Sequence, residues 1–122
     1  MPTVVDITHR VVEFCRGKGD GLVNVFAPHA TAGLALIETG SGAEEDLLAT
    51  LEELLPRSRQ YVHRHGSPGH GGDHVLPALI SPSLTIPVIN GRPTLGTWQS
   101  VVLVDPNRDN SVRQLRLTFL AG

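Results

Sequence analysis

Short apolar and β-branched runs, separated by glycine, proline and polar turns, make up most of the hydrophobic pattern of this chain. Runs of about four to eight such residues between turn residues are typical of β-strands. Strands are therefore predicted over 3–8, 10–14, 22–26, 33–37, 84–89, 98–104 and 112–120. Asn90-Gly91 is the strongest two-residue hairpin signal in the chain. Segment 74–80 fits either one or two helical turns or an extended run, because Pro77 argues against a long helix.

One segment has the apolar spacing of an amphipathic helix. Its leucines follow the pattern that forms a single apolar stripe: Leu47, Leu48, Leu51, Leu54 and Leu55. Ser41 and Glu44 have the spacing of a capping box, and Pro56 stops the helix. A helix is therefore predicted from about Ala43 to Leu55.

The order of these elements indicates the fold class. Short turns join the strands and no βαβ unit is evident, so we expect an α+β protein of mostly antiparallel β-structure. The predicted core is a compact β-sandwich, jelly-roll-like, with one main flanking helix. The 122 residues fit a single domain over residues 1–122. Gly33, inside one strand, permits close approach by another backbone or by a ligand.

Composition narrows the function classes. The formal net charge is −2 and no Lys/Arg-rich tract is present, which gives no electrostatic case for nucleic acid. Cys15 is the single cysteine, so no intramolecular disulfide and no CxxC metal site can form. No signal peptide and no apolar run of membrane-spanning length is recognisable, so we expect a cytoplasmic protein without membrane contact.

Histidine is concentrated in one glycine-rich stretch, Tyr61–His74. It holds four of the six histidines: His63, His65, His70 and His74. Imidazole is the commonest protein metal ligand and titrates nearest neutral pH. Three imidazoles around an open position are typical of catalytic zinc, although other divalent metals also use imidazole. Without a metal, the same histidines could bind phosphate or transfer protons, and an exposed histidine-rich loop is the alternative.

The ligand set stays open at this point. His63 and His65 would share a face of an extended segment. His63 with His74 is a second pair, and His29 could supply a third ligand. His29 and Glu38 are nine residues apart across a strand, so they lie toward its opposite ends.

Two further clusters are candidates. Glu38 with Asp46 could bind magnesium or act as a base, although spacing alone favours a strand-end Glu and a helix-dipole Asp. The run LGTWQ places the only tryptophan, Trp98, between Thr97 and Gln99. Such a run could wall a pocket with an aromatic face and an amide, or Trp98 could anchor the core.

Several motifs together resemble the YjbQ family, also called the secondary thiamine-phosphate synthase family. Pro28–Ala32 is similar to its H-[TS]-[TS]-A element, Leu36–Glu38 to its I-N-E, and Tyr61–His63 to its Y-x-H. The run LGTWQ is identical to the corresponding run of the family. Asp46, His74 and Ser83 lie at positions that match the spacing of the family's motifs. The resemblance covers nearly the whole chain from His29 onward.

The resemblance implies a β-sandwich-like α+β fold and a homotrimer with polar pockets near the subunit interfaces. It implies joining of a pyrimidine diphosphate to a thiazole phosphate with release of pyrophosphate. The expected partner is therefore a small phosphorylated metabolite, with a divalent metal, zinc or magnesium, as cofactor. The resemblance carries His29, Glu38, Asp46, His63, His74, Trp98 and Gln99 over as site residues. Among them we expect His29, His63 and His74 to be metal ligands and Glu38 and Asp46 to be catalytic carboxylates. We expect the substrate contacts to be Ser83, Thr97, Trp98 and Gln99.

One stretch departs from the family pattern. The family usually has Asn-x-x-Ala-His where this chain has His70-Gly71-Gly72-Asp73-His74. We expect His65 and His70 to be exposed loop residues. Two other functions stay open: a non-catalytic trimeric protein that binds a metal or metabolite, and hydrolysis by a metal-bound water.

Overall fold

The computed structural model describes residues 3–63, 69–107 and 112–122. Within these ranges the chain forms seven strands and four helices. In chain order they are β1 (Thr3–Asp6), α1 (Thr8–Cys15), β2 (Gly21–Phe26), β3 (Gly33–Ile37), α2 (Ala43–Leu54), α3 (His70–Asp73), α4 (Leu76–Leu79), β4 (Ser83–Ile89), β5 (Arg92–Pro93), β6 (Ser100–Asp105) and β7 (Arg116–Ala121).

The strands form two antiparallel sheets. The first sheet has the order β1-β6-β3 and the second has the order β5-β4-β2-β7. Gly33 pairs with Val104 and Ile37 with Ser100, which fixes the register of β3 against β6. The predicted α+β class with a compact antiparallel β-rich core is confirmed.

Strand β6 separates two hydrophobic cores. Val101 and Leu103 belong to the core shared with the second sheet and α1, whereas Val102 and Val104 belong to the core under α2 and α4. Successive side chains of a strand point to opposite faces, so a strand buried on both faces is apolar throughout. The run of buried residues in β6 follows from this position.

Helix α2 matches the predicted helix, but it begins in a different way. Its N-cap is Gly42, in the left-handed conformation at φ 99°, and no side chain caps the first turn. The capping box predicted from Ser41 is therefore wrong. The Glu44 carboxylate instead accepts hydrogen bonds from the Gly40 N–H at 3.1 and 3.2 Å. Leu51 is buried in the core under this helix.

Helix α1 contradicts the strand predicted over 10–14. Asp6 Oδ1 accepts the Thr8 N–H at 2.9 Å and so satisfies a free donor at the helix start. Val11 and Cys15, four residues apart, are the side chains that the helix buries. Burial of this stripe outweighs the strand preference of the β-branched pair Val11-Val12.

The structure also tests the predictions for Gly33, for segment 74–80 and for the Asn90-Gly91 turn. Gly33 does permit close backbone approach, because an added Cβ would collide with the Ile80 carbonyl oxygen. Segment 74–80 is helical over Leu76–Leu79, with Pro77 in the first turn. Asn90 and Gly91 both have positive φ, as the predicted hairpin turn requires. Over the ranges given above, no helix is long and apolar enough to cross a membrane.

Candidate metal centre and its surroundings

Two histidines share one face of a single-turn helix. His70 is the first residue of α3 and His74 is its C-cap, so their side chains lie one above the other. The two Nε2 atoms are 2.7 Å apart. Gly71 and Gly72 allow Tyr61 to pack on this turn, since a Cβ at Gly72 would lie 2.7 Å from the Tyr61 hydroxyl oxygen. That hydroxyl donates to the Pro56 carbonyl at 2.8 Å.

His63 completes the group from the segment after α2. Its ring centroid lies 4.2 Å from that of His74 and 5.7 Å from that of His70. One ring nitrogen from each of the three residues lies within 4.8 Å of the others. His70 is buried, His74 is half-buried and His63 is exposed, so the group opens toward solvent on the His63 side.

A buried ion pair borders the histidine group. Asp73 Oδ2 lies 3.8 Å from His70 Nδ1. Arg57 donates from one nitrogen to the Asp73 carboxylate at 3.0 and 3.2 Å and to the Pro106 carbonyl at 2.7 Å. Burial raises the pKa of Asp73, and the positive charge of Arg57 opposes that rise.

The donor set determines which metal the group suits. Three imidazole nitrogens match zinc, which binds histidine at about 2.0–2.1 Å and keeps a fourth position open in catalytic sites. Magnesium prefers oxygen ligands, so the histidine group favours zinc over magnesium. The three ring nitrogens already lie within 4.8 Å of one another. Rotation of the three side chains would let all of them bind one ion.

A second polar group lies at the other end of the first sheet. Ile37 pairs with Ser100, so Glu38, the residue after β3, and Gln99, the residue before β6, lie at this same end of the sheet. Thr39 Oγ1 and Ser100 Oγ are 3.0 Å apart, and Glu38 and Gln99 are both exposed.

The tryptophan lies at this same end. Trp98 is 73% exposed, so it is not a core anchor. Gln99 Oε1 accepts the Gly96 N–H at 2.8 Å and so closes the turn that carries Thr97 and Trp98.

The two groups are separated by the length of β6. Six residues of strand, Ser100 to Asp105, span about 17 Å at roughly 3.4 Å per step. Pro106 follows Asp105 and accepts from Arg57, which places the histidine group at the Asp105 end. The Glu38 group lies at the Ser100 end, so the two groups do not form one pocket within one chain.

Family comparison agrees with this architecture. The profile of the UPF0047 protein YjbQ-like family matches residues 2–122. The chain belongs to this family. A UPF0047 protein of Mycobacterium bovis is 60% identical over 119 residues, which cover 98% of this chain and 92% of that protein. A UPF0047 protein of Archaeoglobus fulgidus is 35% identical over 102 residues, or 84% of this chain and 79% of the relative.

Solved structures of similar proteins have the same fold. A YbjQ-like protein of unknown function from Sulfolobus solfataricus superposes with a TM-score of 0.91 at 26% identity, covering 99% of this chain and 88% of that chain. A conserved hypothetical protein from Thermus thermophilus superposes with a TM-score of 0.84 at 33% identity, covering 98% and 92%.

In this YjbQ-like chain, the structure brings together two of the three predicted ligands, His63 and His74, and adds His70. The expectation that His70 is exposed is wrong, since it is 5% exposed. His65 lies outside the described residues. His29 is elsewhere: its Nε2 accepts the Gln114 N–H at 2.7 Å, so that nitrogen is not free to bind a metal.

The remaining predicted residues are dispersed. Asp46 lies in the first turn of α2 and is exposed. Ser83 lies on the outer face of the second sheet, where its Oγ accepts from Asn24 Nδ2 at 3.0 Å. Neither belongs to the histidine group, so a role for them requires another element or another copy of the chain.

Proposed function

We propose that this YjbQ-like protein is a metal-binding enzyme whose His63, His70 and His74 hold a zinc ion. The observation that carries the proposal is the set of three imidazole nitrogens within 4.8 Å of one another. A bound zinc ion would supply Lewis acidity and a polarised water at its open position. The substrate class that we propose is a small phosphorylated metabolite, whose anionic groups such an ion attracts.

The three ligands have different tasks. His70 is buried and borders the Arg57–Asp73 pair, so it supplies the most rigid of the three nitrogens. His74, half-buried, is positioned by the same helical turn. His63 is exposed, so it supplies the ligand on the solvent side of the group.

The metal proposal is tested by elemental analysis of untagged protein after exhaustive dialysis. Wild-type protein should retain zinc in near-stoichiometric amount, and His70→Ala should lose it. His29→Ala is the matched control, and we expect it to retain zinc because His29 Nε2 is engaged by Gln114. Wild-type protein without any metal would contradict the proposal, and equal loss in both variants would contradict the ligand set.

For the reaction, we propose a transfer like that of the thiamine-phosphate synthases that the sequence resembles. A pyrimidine diphosphate would be joined to a thiazole phosphate, and pyrophosphate would leave. Glu38 would act as acid or base, Trp98 would stack on a ring and Gln99 would donate a hydrogen bond. Departure of pyrophosphate requires stabilisation of its negative charge, which a metal beside the substrate can provide.

Complementation of a thiamine-requiring strain tests the reaction. Wild-type protein should rescue growth, and Glu38→Ala should not. Glu13→Ala, on the exposed side of α1, serves as a control of the same chemical change. Rescue by Glu38→Ala would contradict the acid/base role. Failure of the wild type would favour a binding protein for a metal or metabolite.

A further inference from the structure

The ring of His70 is placed between two chemically different neighbours. Its Nε2 faces His74 Nε2 at 2.7 Å, and its Nδ1 faces Asp73 Oδ2 at 3.8 Å. A neutral imidazole carries its hydrogen on one nitrogen and offers the lone pair of the other. A carboxylate beside Nδ1 favours the hydrogen at Nδ1, because it attracts the positive end of the N–H dipole.

The carboxylate itself is held in place. Arg57 contacts both oxygens of Asp73 and the Pro106 carbonyl, and both side chains are largely removed from solvent. Pro106 follows directly after β6, so the ion pair ties the histidine-bearing turn to the central strand. A buried carboxylate fixed by arginine cannot easily rotate away from the His70 ring.

We propose that Asp73 is a positioning residue: held by Arg57, it keeps the hydrogen of His70 on Nδ1 and leaves Nε2 as the metal-binding nitrogen. The metal in this proposal rests on the proposed function. The position of the hydrogen on His70 rests on the geometry of Asp73 and His70 alone. In the metal-free protein, with the hydrogen on His70 Nδ1, the 2.7 Å contact has His74 Nε2–H donating to His70 Nε2, and a bound metal would replace this hydrogen bond. A ligand histidine whose second nitrogen is oriented by a carboxylate binds metal more tightly than one without that partner.

The test compares Asp73→Asn with Asp105→Asn. Asp105 is the matched control, because it is also buried and also paired with an arginine, Arg113, at 2.8 Å. Zinc affinity is measured by competition with a chromogenic chelator. The His70 tautomer is read in metal-free protein by long-range ¹H–¹⁵N correlation spectroscopy. The free energy of unfolding of each metal-free variant is measured by urea titration.

We expect Asp73→Asn to weaken zinc binding by about 10–100-fold, the usual cost of losing such a partner. In the same variant, the fraction of His70 rings that carry the hydrogen on Nδ1 should fall, and the fraction with the hydrogen on Nε2 should rise. Asp105→Asn should lower stability while leaving zinc affinity and the His70 tautomer as in the wild type. If Asp73→Asn, like Asp105→Asn, leaves both the zinc affinity and the His70 tautomer as in the wild type, Asp73 has only a structural role and the proposal is wrong.

The two proposals fail in different ways. If wild-type protein binds no zinc, the proposed function fails, but the metal-free tautomer still decides the role of Asp73. Hydrogen on Nδ1 in the wild type, lost in Asp73→Asn, would support positioning by Asp73. Hydrogen on Nε2 in the wild type would overturn it.

Discussion

Cys15 is a buried thiol whose chemistry follows from its surroundings. It is fully buried in the core beside α1. Burial raises the pKa of the Cys15 thiol, because the thiolate would lose its hydration, and Lys18 opposes this only in part. The thiolate is the reactive form, so Cys15 should be inert in the folded protein.

We therefore expect iodoacetamide to leave native protein unmodified at mildly alkaline pH and to modify it fully in denaturant. Mass spectrometry of intact protein measures the difference. Rapid modification of the native state would show that this part of the core opens readily.

The histidine group shows what single residues reveal in sequence. His63 and His74 were predicted from residue type, glycine-rich context and family motifs. His70 was missed, because its spacing to His74 is informative only if the segment is helical. Gly71 and Gly72 argue against a helix, since each glycine costs about 1 kcal/mol relative to alanine. The contact of both glycines with Tyr61, which sequence spacing does not reveal, favours the turn in the folded chain.

At the scale of elements, the start of α1 should respond to acid. The Thr8 hydroxyl, and less strongly the Thr8 N–H, donate to the Asp6 carboxylate and hold its pKa below the usual value of 3.8, although burial opposes this. A carboxyl group whose pKa is lowered on folding stabilises the fold above its unfolded pKa. That stabilisation is lost as the pH falls through the folded pKa.

Asp6→Asn keeps a side-chain acceptor at this position but cannot titrate. We expect its free energy of unfolding to vary less with pH below about 4 than that of the wild type. Urea titrations at a series of pH values measure this. Parallel curves for the two proteins would show that Asp6 does not contribute to acid sensitivity.

Helix α1 forms from residues whose apolar pattern favours a strand. A short run containing Val11 and Val12 has strand preference, and the segment was too short for a clear helical period. Two features of the sequence favour a helix here. Ile7, Val11 and Cys15 are spaced four residues apart, and Asp6 stands just before them as an acceptor for the helix start. Helix α2 was predicted correctly because five leucines repeat over more than two turns.

Helix α4 secures the segment that carries His74. Leu76 is fully buried in the second core, whereas Leu79, on the same helix, is 57% exposed. We expect Leu76→Ala to lower the free energy of unfolding by about 2–5 kcal/mol, because it leaves a cavity. Leu79→Ala should change it by less than about 0.5 kcal/mol. Urea titration of both variants measures the contrast, and equal effects would contradict this packing.

At the scale of the whole molecule, the separation of the two polar groups bears on assembly. A reaction that uses both the histidine group and Glu38 must combine groups from different copies. We propose that these copies belong to the homotrimer that the family resemblance implies. Exposed apolar side chains on the outer face of the second sheet offer surface for such contacts: Leu22, Phe26, Ile89 and Leu120.

Mixed assemblies test a shared site. His74→Ala and Glu38→Ala should each be inactive alone in thiamine-phosphate formation. Refolding the two together should restore part of the activity, because some assemblies then join an intact histidine group to an intact Glu38. Light scattering should give three times the chain mass of 13.1 kDa. A monomer mass, or no recovery on mixing, would contradict the shared site.

Strand β6 has a consequence for the order in which the molecule opens. Its alternate side chains belong to different cores, so β6 loses all of its side-chain contacts only when both cores open. Its backbone amides should therefore exchange with deuterated solvent only through global unfolding, and they should be the last in the chain to do so. Since Ser100 begins this strand and Pro106 follows it, the two polar groups are attached to the strand that should open last.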